Sequence, residues 1–509
     1  MNLRSRLLAP ARHLFAGLAA LTFALVATLS ARHPLGAFAA SAAKPIALVL
    51  DHVTVLDVSG GPSRADQTVI VTGGTISSVA ASGSLAIPKD AQIVNARGKF
   101  LIPGLWDMHT HVAGTSAKPG WAREVLLPLL VANGITGIRD MGGDLDALQS
   151  WRREIASGAL VGPLIVAPGP MLLPPRRAGA PAAPPNPEEL RVATPGEARA
   201  AVRALQQRGA DFIKIIDVPR DAFFAAAEES RQDGISFAGH VPTEVTAAET
   251  SNAGQKSIEH IIYSSLAFDC SSQGEELRRK RQDARARRDV QAIGDIQDEA
   301  DRTFSAEKAA ALWQLFRKNG TWVTPTLFSI RANAHHLEDS PADPLLAYVP
   351  AALRKEWAPP QNPTQDDRDT DAWWLRQFEN DRKLTGEMHR AGVRLLAGSD
   401  SLDRYVFVGS SLHQELQQLV AAGLTPLEAL AAATRNAAEF FGRTDLGAVA
   451  AGKRADLVLL DTDPLAIIAN TQKIYAVVLA GKFLSRGDLD ALLAKAHAAA
   501  AEVKAEGKD

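Results

Sequence analysis

The chain has 509 residues, a formal net charge of −2 and 22% charged residues. This near balance of charge argues against nucleic acid as a partner, because binding to phosphates requires a basic surface. Hydrophobic residues make up 46% of the sequence, which is enough for a large packed core. Cys270 is the one cysteine, so an intramolecular disulfide and a cysteine-based metal cluster are both excluded.

Residues 1–42 have the pattern of a secretory signal peptide. Three arginines precede an uncharged apolar run at residues 14–29, and small residues follow it, with cleavage expected near residues 40–43. A retained membrane anchor is the alternative, but the apolar run is shorter than the ~20 residues that a spanning helix needs. We therefore expect an exported protein, periplasmic or secreted, without stable membrane insertion after cleavage.

Short β-branched runs lie at both ends of the remaining chain. Near the start they occupy residues 53–58, 68–71 and 75–79, and near the end residues 455–460, 474–479 and 482–484. We interpret residues 43–102 and 443–486 as two parts of one small β-sandwich domain, and residues 487–509 as a C-terminal helical tail.

The middle of the chain, residues 103–442, alternates strand patterns with helical patterns. This alternation is typical of βα units around a parallel sheet, and eight such units make a (β/α)8 barrel of the TIM type. The eight predicted strands are residues 105–109, 135–139, 163–167, 212–216, 235–238, 257–261, 322–326 and 393–397. The predicted fold class is therefore α/β, a TIM-like barrel with a small β-sandwich domain formed from both ends of the mature chain.

Three segments interrupt the alternation, at about residues 171–193, 271–302 and 330–380. The first is rich in proline, the second is dense in charge, and the third contains three tryptophans. Each follows the carboxyl end of a predicted strand, where barrel enzymes keep their active sites, so we interpret the segments as lids or pocket walls. For the basic run at residues 278–288 we favour a solvated helix face.

Residues that can bind a metal lie at the ends of several predicted strands. His109 and His111 are two residues apart on the first barrel strand, so their side chains point to the same face. Each of the other candidates has a structural explanation when it is taken alone, such as a hydrogen bond in the core or a helix cap. Together, residues of this kind at successive strand ends indicate a metal site. The set is His109, His111, Lys214, His240, His260 and Asp400.

Two further segments complete the pattern: Ile-Pro-Gly-Leu-Trp-Asp-Met-His-Thr-His at residues 102–111 and Ala-Gly-Lys-Arg-Ala-Asp-Leu-Val at residues 451–458. With the strand-end residues, they make the chain resemble the amidohydrolase superfamily. Within it, the chain is similar to the branch that contains imidazolonepropionases and prolidase-like enzymes with a carboxylated lysine. The resemblance covers nearly all of the mature chain. It implies a hydrolase of carbon–nitrogen bonds, for example a dipeptidase or carboxypeptidase, without identifying the substrate.

The resemblance also implies a binuclear centre. The first of two divalent ions, expected to be Zn²⁺, would be held by His109, His111 and Asp400, and the second by His240 and His260. Lys214, converted to a carbamate by CO2, would bridge the two ions, because a carbamate is an anionic oxygen ligand whereas free lysine is a cation at neutral pH. If Lys214 is an ordinary lysine, the site would be mononuclear, on the imidazolonepropionase plan.

The reaction that this centre implies is cleavage of an acyclic amide bond, in a peptide-like substrate or an N-acyl amino acid. A metal-bridging hydroxide would attack the carbonyl, with Asp400 as the general acid/base. One alternative is a mononuclear hydrolase of cyclic amides or amidines, or a deaminase, and a second is a catalytically inactive binding barrel. The metal content per chain separates the three. The expected partner is a small-molecule substrate, and the sequence leaves homo-oligomerisation open.

Three residues are candidates for substrate contacts. Arg139, at the end of the second barrel strand, either binds a substrate carboxylate or belongs to a structural ion pair. Tyr263 follows the sixth strand at a position from which it can reach the substrate, and His413 lies on a helical pattern soon after the last ligand.

Two buried acids are assigned supporting roles. Strand alternation predicts that Glu259 points away from His260, which makes Glu259 a structural residue. Asp107 shares the parity of His109 and His111, and we expect it one layer deeper in the barrel, beneath them.

Overall fold

The computed structural model describes residues 46–114, 119–176, 179 and 185–503. The signal peptide predicted for residues 1–42 lies outside this part of the chain. Within the described ranges, no helix combines the length and the apolar character needed to cross a bilayer.

Strands occur at both ends of the described chain and recur through its middle. They are β1 (Leu48–Val55), β2 (Arg64–Thr72), β3 (Thr75–Ala81), β4 (Gln92–Asn95), β5 (Phe100–Pro103), β6 (Leu105–Thr110), β7 (Ile135–Asp140), β8 (Leu164–Val166), β9 (Met171–Leu173), β10 (Glu189–Arg191), β11 (Phe212–Ile215), β12 (Ser236–Gly239), β13 (Ser257–Glu259), β14 (Trp322–Thr324), β15 (Arg394–Leu395), β16 (Leu457–Leu460), β17 (Ile474–Leu479) and β18 (Lys482–Leu484).

Helices connect most of the strands in the middle of the chain. The α-helices are α1 (Pro119–Trp121), α2 (Leu127–Ala132), α3 (Leu145–Ser157), α4 (Pro195–Gln207), α5 (Arg220–Gln232), α6 (Ala247–Asn252), α7 (Leu266–Cys270), α8 (Gly274–Arg287), α9 (Val290–Arg302), α10 (Ala306–Asn319), α11 (Leu327–Ala334), α12 (Ala351–Trp357), α13 (Gln365–Arg390), α14 (Ser410–Ala421), α15 (Pro426–Ala432), α16 (Arg435–Phe441) and α17 (Arg486–Glu502). A π-helix covers Ala122–Leu126, and 3₁₀ turns cover His336–Glu338, Pro344–Tyr348 and Ile468–Gln472.

Local sequence determines where α4 begins. The Thr194 hydroxyl accepts a hydrogen bond from the Glu197 N–H at 3.3 Å, and the Glu197 carboxylate accepts one from the Thr194 N–H at 3.1 Å. This reciprocal capping box satisfies two backbone donors that the first helical turn leaves unpaired. α15 starts with the same arrangement between Thr425 and Glu428.

The β-rich ends of the chain meet in one sheet of eight strands. Its order is β18-β17-β16-β5-β1-β2-β3, with β4 paired to β1. The junction between the two ends is the antiparallel pair β5–β16, in which Leu101 lies opposite Leu459. Both leucines are fully buried, so apolar packing as well as the hydrogen-bond ladder holds the two ends together. The sandwich arrangement of this domain stays a prediction.

The middle of the chain forms two parallel sheets, ordered β6-β7-β8 and β10-β9-β11-β12-β13-β14-β15. Each of the eight predicted barrel strands overlaps a strand of these sheets, while β9 and β10 come from the proline-rich segment. Backbone hydrogen bonds join the two sheets, from Met108 N–H to Ala397 O at 2.9 Å and from Asp211 N–H to Ala167 O at 2.9 Å. The architecture is a TIM-barrel-like α/β fold, in which the carboxyl ends of the parallel strands lie on one side.

The charge-dense segment 271–302 folds into α8 and α9. The prediction of a solvated helix face is wrong for three arginines of α8. Arg278 pairs with Asp269, Arg285 pairs with Asp217 at 3.0 Å, and Arg281 contacts Ser265. These partners follow the carboxyl ends of β11 and β13, so this face of α8 covers that side of the fold.

Candidate metal centre

Two metal-ligand candidates lie at the end of β6 and a third in the turn after β15. The Asp400 N–H donates to the His109 carbonyl at 2.8 Å, and the His111 N–H donates to the Ser401 carbonyl at 2.7 Å. The backbone therefore sets Asp400 beside the two histidines, although they come from opposite ends of the middle segment.

The side chains of His109, His111 and Asp400 form a compact group. Asp400 Oδ1 lies 3.3 Å from His109 Nε2 and 3.6 Å from His111 Nε2. One ligand atom from each residue lies within 4.8 Å of the other two. His109 Nε2 is buried and has no hydrogen-bond partner among the described residues. Buried polar atoms in proteins are almost always hydrogen-bonded. The unpaired His109 Nε2, which faces the Asp400 carboxylate, is therefore suited to bind a metal ion.

The protonation state of the histidines also fits a metal. Burial, and next the positive charge of Lys214, lower the pKa of His109 well below its ordinary value and that of His111 to about 4. Both imidazoles are therefore neutral at pH 7, which is the form that donates a lone pair to a metal ion.

The other three candidates extend this group. The His260 ring centroid lies 4.7 Å from that of His109 and 4.9 Å from that of His240. Lys214, on β11, is 1% exposed, and its Nζ has no hydrogen-bond partner in the described chain. Burial lowers the pKa of Lys214 to about 8, so that its amine loses a proton more readily than an exposed lysine does. The structure thus brings the four histidines and Asp400 into one cluster, and the charge of Lys214 acts on all five of them.

Two of these residues adopt a left-handed backbone. The φ angle is 61° at His260 and 57° at Asp400. For residues other than glycine this conformation costs about 1–3 kcal/mol, and it persists where the surroundings enforce it. His260 is held by its N–H to Thr324 O at 2.9 Å and by its ring Nδ1 to Thr326 Oγ1 at 2.6 Å. In this backbone conformation the His260 ring lies beside that of His109, and the Asp400 carboxylate lies beside His109 Nε2.

A buried ion pair orients His109. Glu259 Oε2 lies 2.9 Å from His109 Nδ1, and Arg139 Nη2 donates to both Glu259 oxygens at 2.9 and 2.8 Å. Holding Nδ1 in this way directs Nε2 toward Asp400, as in metal sites whose ligand histidine is bonded to a carboxylate. The interpretation of Glu259 as only structural was incomplete, because it contacts a candidate ligand directly.

The assignment of Arg139 to substrate binding is wrong. Its side chain is 0% exposed, and its remaining donors bond to Met108 O at 2.6 Å and Ser257 Oγ at 2.7 Å. A guanidinium whose three nitrogens are all engaged and which has no solvent contact cannot reach a substrate. The structural ion pair, which the sequence left open as an alternative, is what the structure contains.

Asp107 and Ser399 position the turn that carries Asp400. Asp107 accepts hydrogen bonds from the Ser399 N–H at 2.9 Å and from the Ser399 hydroxyl at 2.6 Å, and it also accepts one from the His109 N–H at 3.2 Å. Sequence reasoning missed Ser399 and also Asp403, which accepts from the Ser329 hydroxyl at 2.8 Å. Their adjacency to Asp400 was the one signal available, because neither belongs to a periodic pattern.

Tyr263 lies at the mouth of the cluster. Its ring stacks on that of His240 at a centroid distance of 6.3 Å and meets the His260 ring edge-on at 5.2 Å. The residue is 39% exposed, and Trp374 of α13 lies 6.2 Å from it. Tyr263 thus lies between the cluster and solvent, and Trp374 of segment 330–380 lies beside it.

The assignment of His413 to the site is also wrong. It is buried on α14, where its Nδ1 lies 2.9 Å from Thr471 Oγ1 and its Nε2 lies 3.0 Å from Asn133 O. Both ring nitrogens are engaged with partners in the core, so His413 stabilises the packing of α14.

The fold and the cluster together define a TIM-barrel-like α/β protein with a histidine-rich site, able to hold metal, beside the ends of its parallel strands. The profile of the Amidohydrolase family matches residues 100–484, which is most of the chain. The chain therefore belongs to the amidohydrolase family, whose members are hydrolases of carbon–nitrogen bonds and are generally metal-dependent.

Similar solved structures agree with the fold. A putative prolidase from Bifidobacterium longum is 24% identical, with a TM-score of 0.63 over 89% of this chain and 100% of that chain. A Xaa-Pro dipeptidase with bound methionine in its active site is 19% identical, with a TM-score of 0.65 over 86% of this chain and 100% of that chain. The resemblance to the amidohydrolase superfamily, which the sequence predicted, is confirmed.

A short region of the chain is similar to curated adenine deaminases. Adenine deaminase 2 of Agrobacterium fabrum (strain C58) is 51% identical over 53 residues, which are 10% of this chain and 9% of that protein. The aligned region thus spans about a tenth of the length of that relative.

Proposed function

We propose that this protein is a metal-dependent hydrolase that cleaves an acyclic amide bond in a small peptide-like substrate or an N-acyl amino acid. The observation that carries this proposal is the continuous cluster of four imidazoles and one carboxylate, together with a buried lysine amine that has no hydrogen-bond partner in the described chain. Packing alone does not explain this set, because burying His109 Nε2 and Lys214 Nζ without a hydrogen-bond partner costs free energy that a ligand would offset.

The proposed ligands of a first divalent ion, expected to be Zn²⁺, are His109, His111 and Asp400. Those of a second ion are His240 and His260, with a carboxylated Lys214 shared between the two. Support for the carbamate comes from burial of the Lys214 amine, since a neutral amine is the form that reacts with CO2. When bound, divalent ions lower the pKa of water and polarise a carbonyl, which are the two demands of amide hydrolysis.

The residues of the chain have separate tasks in this proposal. The Asp400 carboxylate accepts a proton from the attacking water and delivers it to the leaving nitrogen. Glu259 and Arg139 hold the His109 ring so that Nε2 keeps its direction. Tyr263, at the mouth, contacts the part of the substrate that lies outside the cluster.

Metal analysis of the purified full chain tests the proposal. Two equivalents of metal per chain, with release of amine from dipeptides or N-acyl amino acids by the zinc-loaded protein, are expected. One equivalent would favour the mononuclear plan. No bound metal and no gain of activity on added zinc would favour a catalytically inactive binding barrel, which the presence of all six ligand residues argues against.

A mononuclear hydrolase of cyclic amides or amidines, or a deaminase, is the second candidate. The similarity to adenine deaminase over 53 residues favours it, as does the compact group that His109, His111 and Asp400 form without Lys214. Ammonia release from adenine, measured beside the dipeptide assay, separates the two functions.

We also propose that the two parallel sheets close into one (β/α)8 barrel over residues 103–442. The hydrogen bonds that join β6 to the chain after β15, and the chain after β8 to that before β11, support closure. Residues 43–102 and 443–486 would form the β-sandwich domain. The composition of residues 1–42 supports export to the periplasm or the medium.

A further inference from the structure

Helix α8 directs three arginines toward the ends of the strands that carry the cluster. Arg278, Arg281 and Arg285 are three and four residues apart, so they share one face of the helix. Arg285 Nη1 bonds to Asp217 Oδ2 at 3.0 Å and also contacts Thr243 Oγ1. Asp217 lies three positions after Lys214, and Thr243 lies three positions after His240. Helix α8 therefore covers the loops that follow these two candidate ligands.

The outer two arginines are paired with carboxylates. Arg278 pairs with Asp269 and donates to Val245 O at 3.3 Å, while Arg285 pairs with Asp217. These contacts anchor α8 at two points one helical turn on either side of Arg281. The helix therefore does not depend on Arg281 for its attachment.

Arg281 itself has no carboxylate within 4.0 Å in the described part of the chain, and its Nε is buried without a hydrogen-bond partner there. Its Nη1 contacts the Ser265 hydroxyl, two residues after Tyr263, and its Cζ lies 5.0 Å from the centre of the Phe268 ring. Burial, followed by the charges of Arg285 and Arg278, lowers the pKa of Arg281 to about 10, so it remains a cation at neutral pH. The charge of Asp217 also acts on Arg281, but that carboxylate is already paired with Arg285. Arg281 therefore has no counter-ion of its own among the described residues, and an anionic ligand would provide one.

We propose that Arg281 binds the free carboxylate of the substrate and makes the enzyme prefer acids over their neutral amides. This inference rests on the proposed function, since it assigns the substrate class of the same site. A guanidinium fits a carboxylate because its planar donors pair with both oxygens. Arg281 contacts Ser265, which follows Tyr263 by two positions, so a carboxylate held by the guanidinium would lie beside the segment that leads away from the mouth of the cluster.

The test compares an anionic probe with a neutral probe that has the same acyl group and side chain, N-acetyl-L-leucine and N-acetyl-L-leucine methylamide. Calorimetric binding to the zinc-loaded full chain is measured for the wild type, Arg281→Gln, Arg281→Lys and the matched control Arg279→Gln, whose side chain is exposed on another face of α8. We expect Arg281→Gln to weaken binding of the acid by about 10-fold or more, the scale of a lost charge-assisted hydrogen bond. Binding of the methylamide should stay unchanged, and Arg279→Gln should affect neither probe.

Arg281→Lys keeps the charge and much of the packing, and should show an intermediate loss, which protects the test if Arg281→Gln folds poorly. Equal weakening of both probes would show that Arg281 only supports the fold. Unchanged binding of the acid, or a wild type that binds neither probe or both equally, would overturn the carboxylate site. Selective binding of the acid without hydrolysis of any amide would refute the proposed function and leave this inference standing.

Discussion

Replacing Glu259 with glutamine tests whether a buried acid directs His109 toward a metal ion. Glu259 is 0% exposed and stands between two donors, the Arg139 guanidinium at 2.8 Å and the His109 ring nitrogen at 2.9 Å. Glutamine keeps the shape of the side chain, but its amide offers one oxygen where the carboxylate offered two. The NH2 group of the glutamine must then face an N–H group of Arg139 or of His109, and two donors that face each other cannot form a hydrogen bond.

The expected effects follow from these contacts. Loss of a partner behind a metal-binding histidine reduces metal affinity about 10- to 100-fold, and a hundredfold change corresponds to about 2.8 kcal/mol. Leaving the Arg139 charge uncompensated in the core costs about 3–5 kcal/mol of stability. The variant Arg139→Met should be similarly unstable, because it strands the Glu259 charge instead. The double variant should lose less stability than the sum of the two single variants, since neither charge remains.

Zinc affinity is measured by competition with a chelator, and stability by thermal unfolding of the metal-free protein. Glu307→Gln, at an exposed position on α10, is the matched control and should change neither quantity. Normal zinc affinity in Glu259→Gln would show that the acid does not orient His109. Strictly additive losses of stability in the double variant would show that the two charges do not act as a pair.

Asp400→Asn should retain much of its metal and lose turnover by about 10²-fold or more, because the proton shuttle is gone; metal analysis with an amine-release assay checks this, and near-normal turnover would remove Asp400 from proton transfer. Lys214→Ala should lose metal and activity together, and added bicarbonate should aid reconstitution of the wild type but not of the variant. A full metal complement with full activity in Lys214→Ala would replace the binuclear site with the mononuclear one. Native protein should begin near residues 40–43, and N-terminal sequencing that starts at Met1 would contradict the signal peptide.

The elements of the fold that local pattern determines could be predicted from the sequence. Alternation of strand and helix patterns marked eight of the parallel strands, five of which carry or precede residues of the cluster, and a two-residue spacing placed His109 and His111 on one face. The same alternation did not reveal that Glu259 contacts His109. Strand β13 ends at Glu259, and His260 turns into the left-handed region at φ 61°, so parity no longer relates the two side chains.

Partners distant in sequence explain the other errors. The Arg139–Glu259 pair joins residues 120 positions apart, and His413 bonds to Asn133 across 280 positions. Charge and helix periodicity at Arg139 or His413 say nothing about which buried group each will meet. The prediction for the basic run on α8 failed for the same reason, because its carboxylate partners lie in α7 and in the loop after β11.

The hydrogen bonds from Ser399 to Asp107 connect residues 292 positions apart, and they fix the turn that carries Asp400. A chain that has been synthesised only as far as the last histidine of the cluster lacks that turn, so it cannot present the compact group of two histidines and one carboxylate. Contacts of such long range form late and slowly, because closing the intervening loop costs entropy before the contact repays it. We therefore expect tight metal binding only at the end of folding. The metal ion would then stabilise the folded protein, and it would not initiate folding.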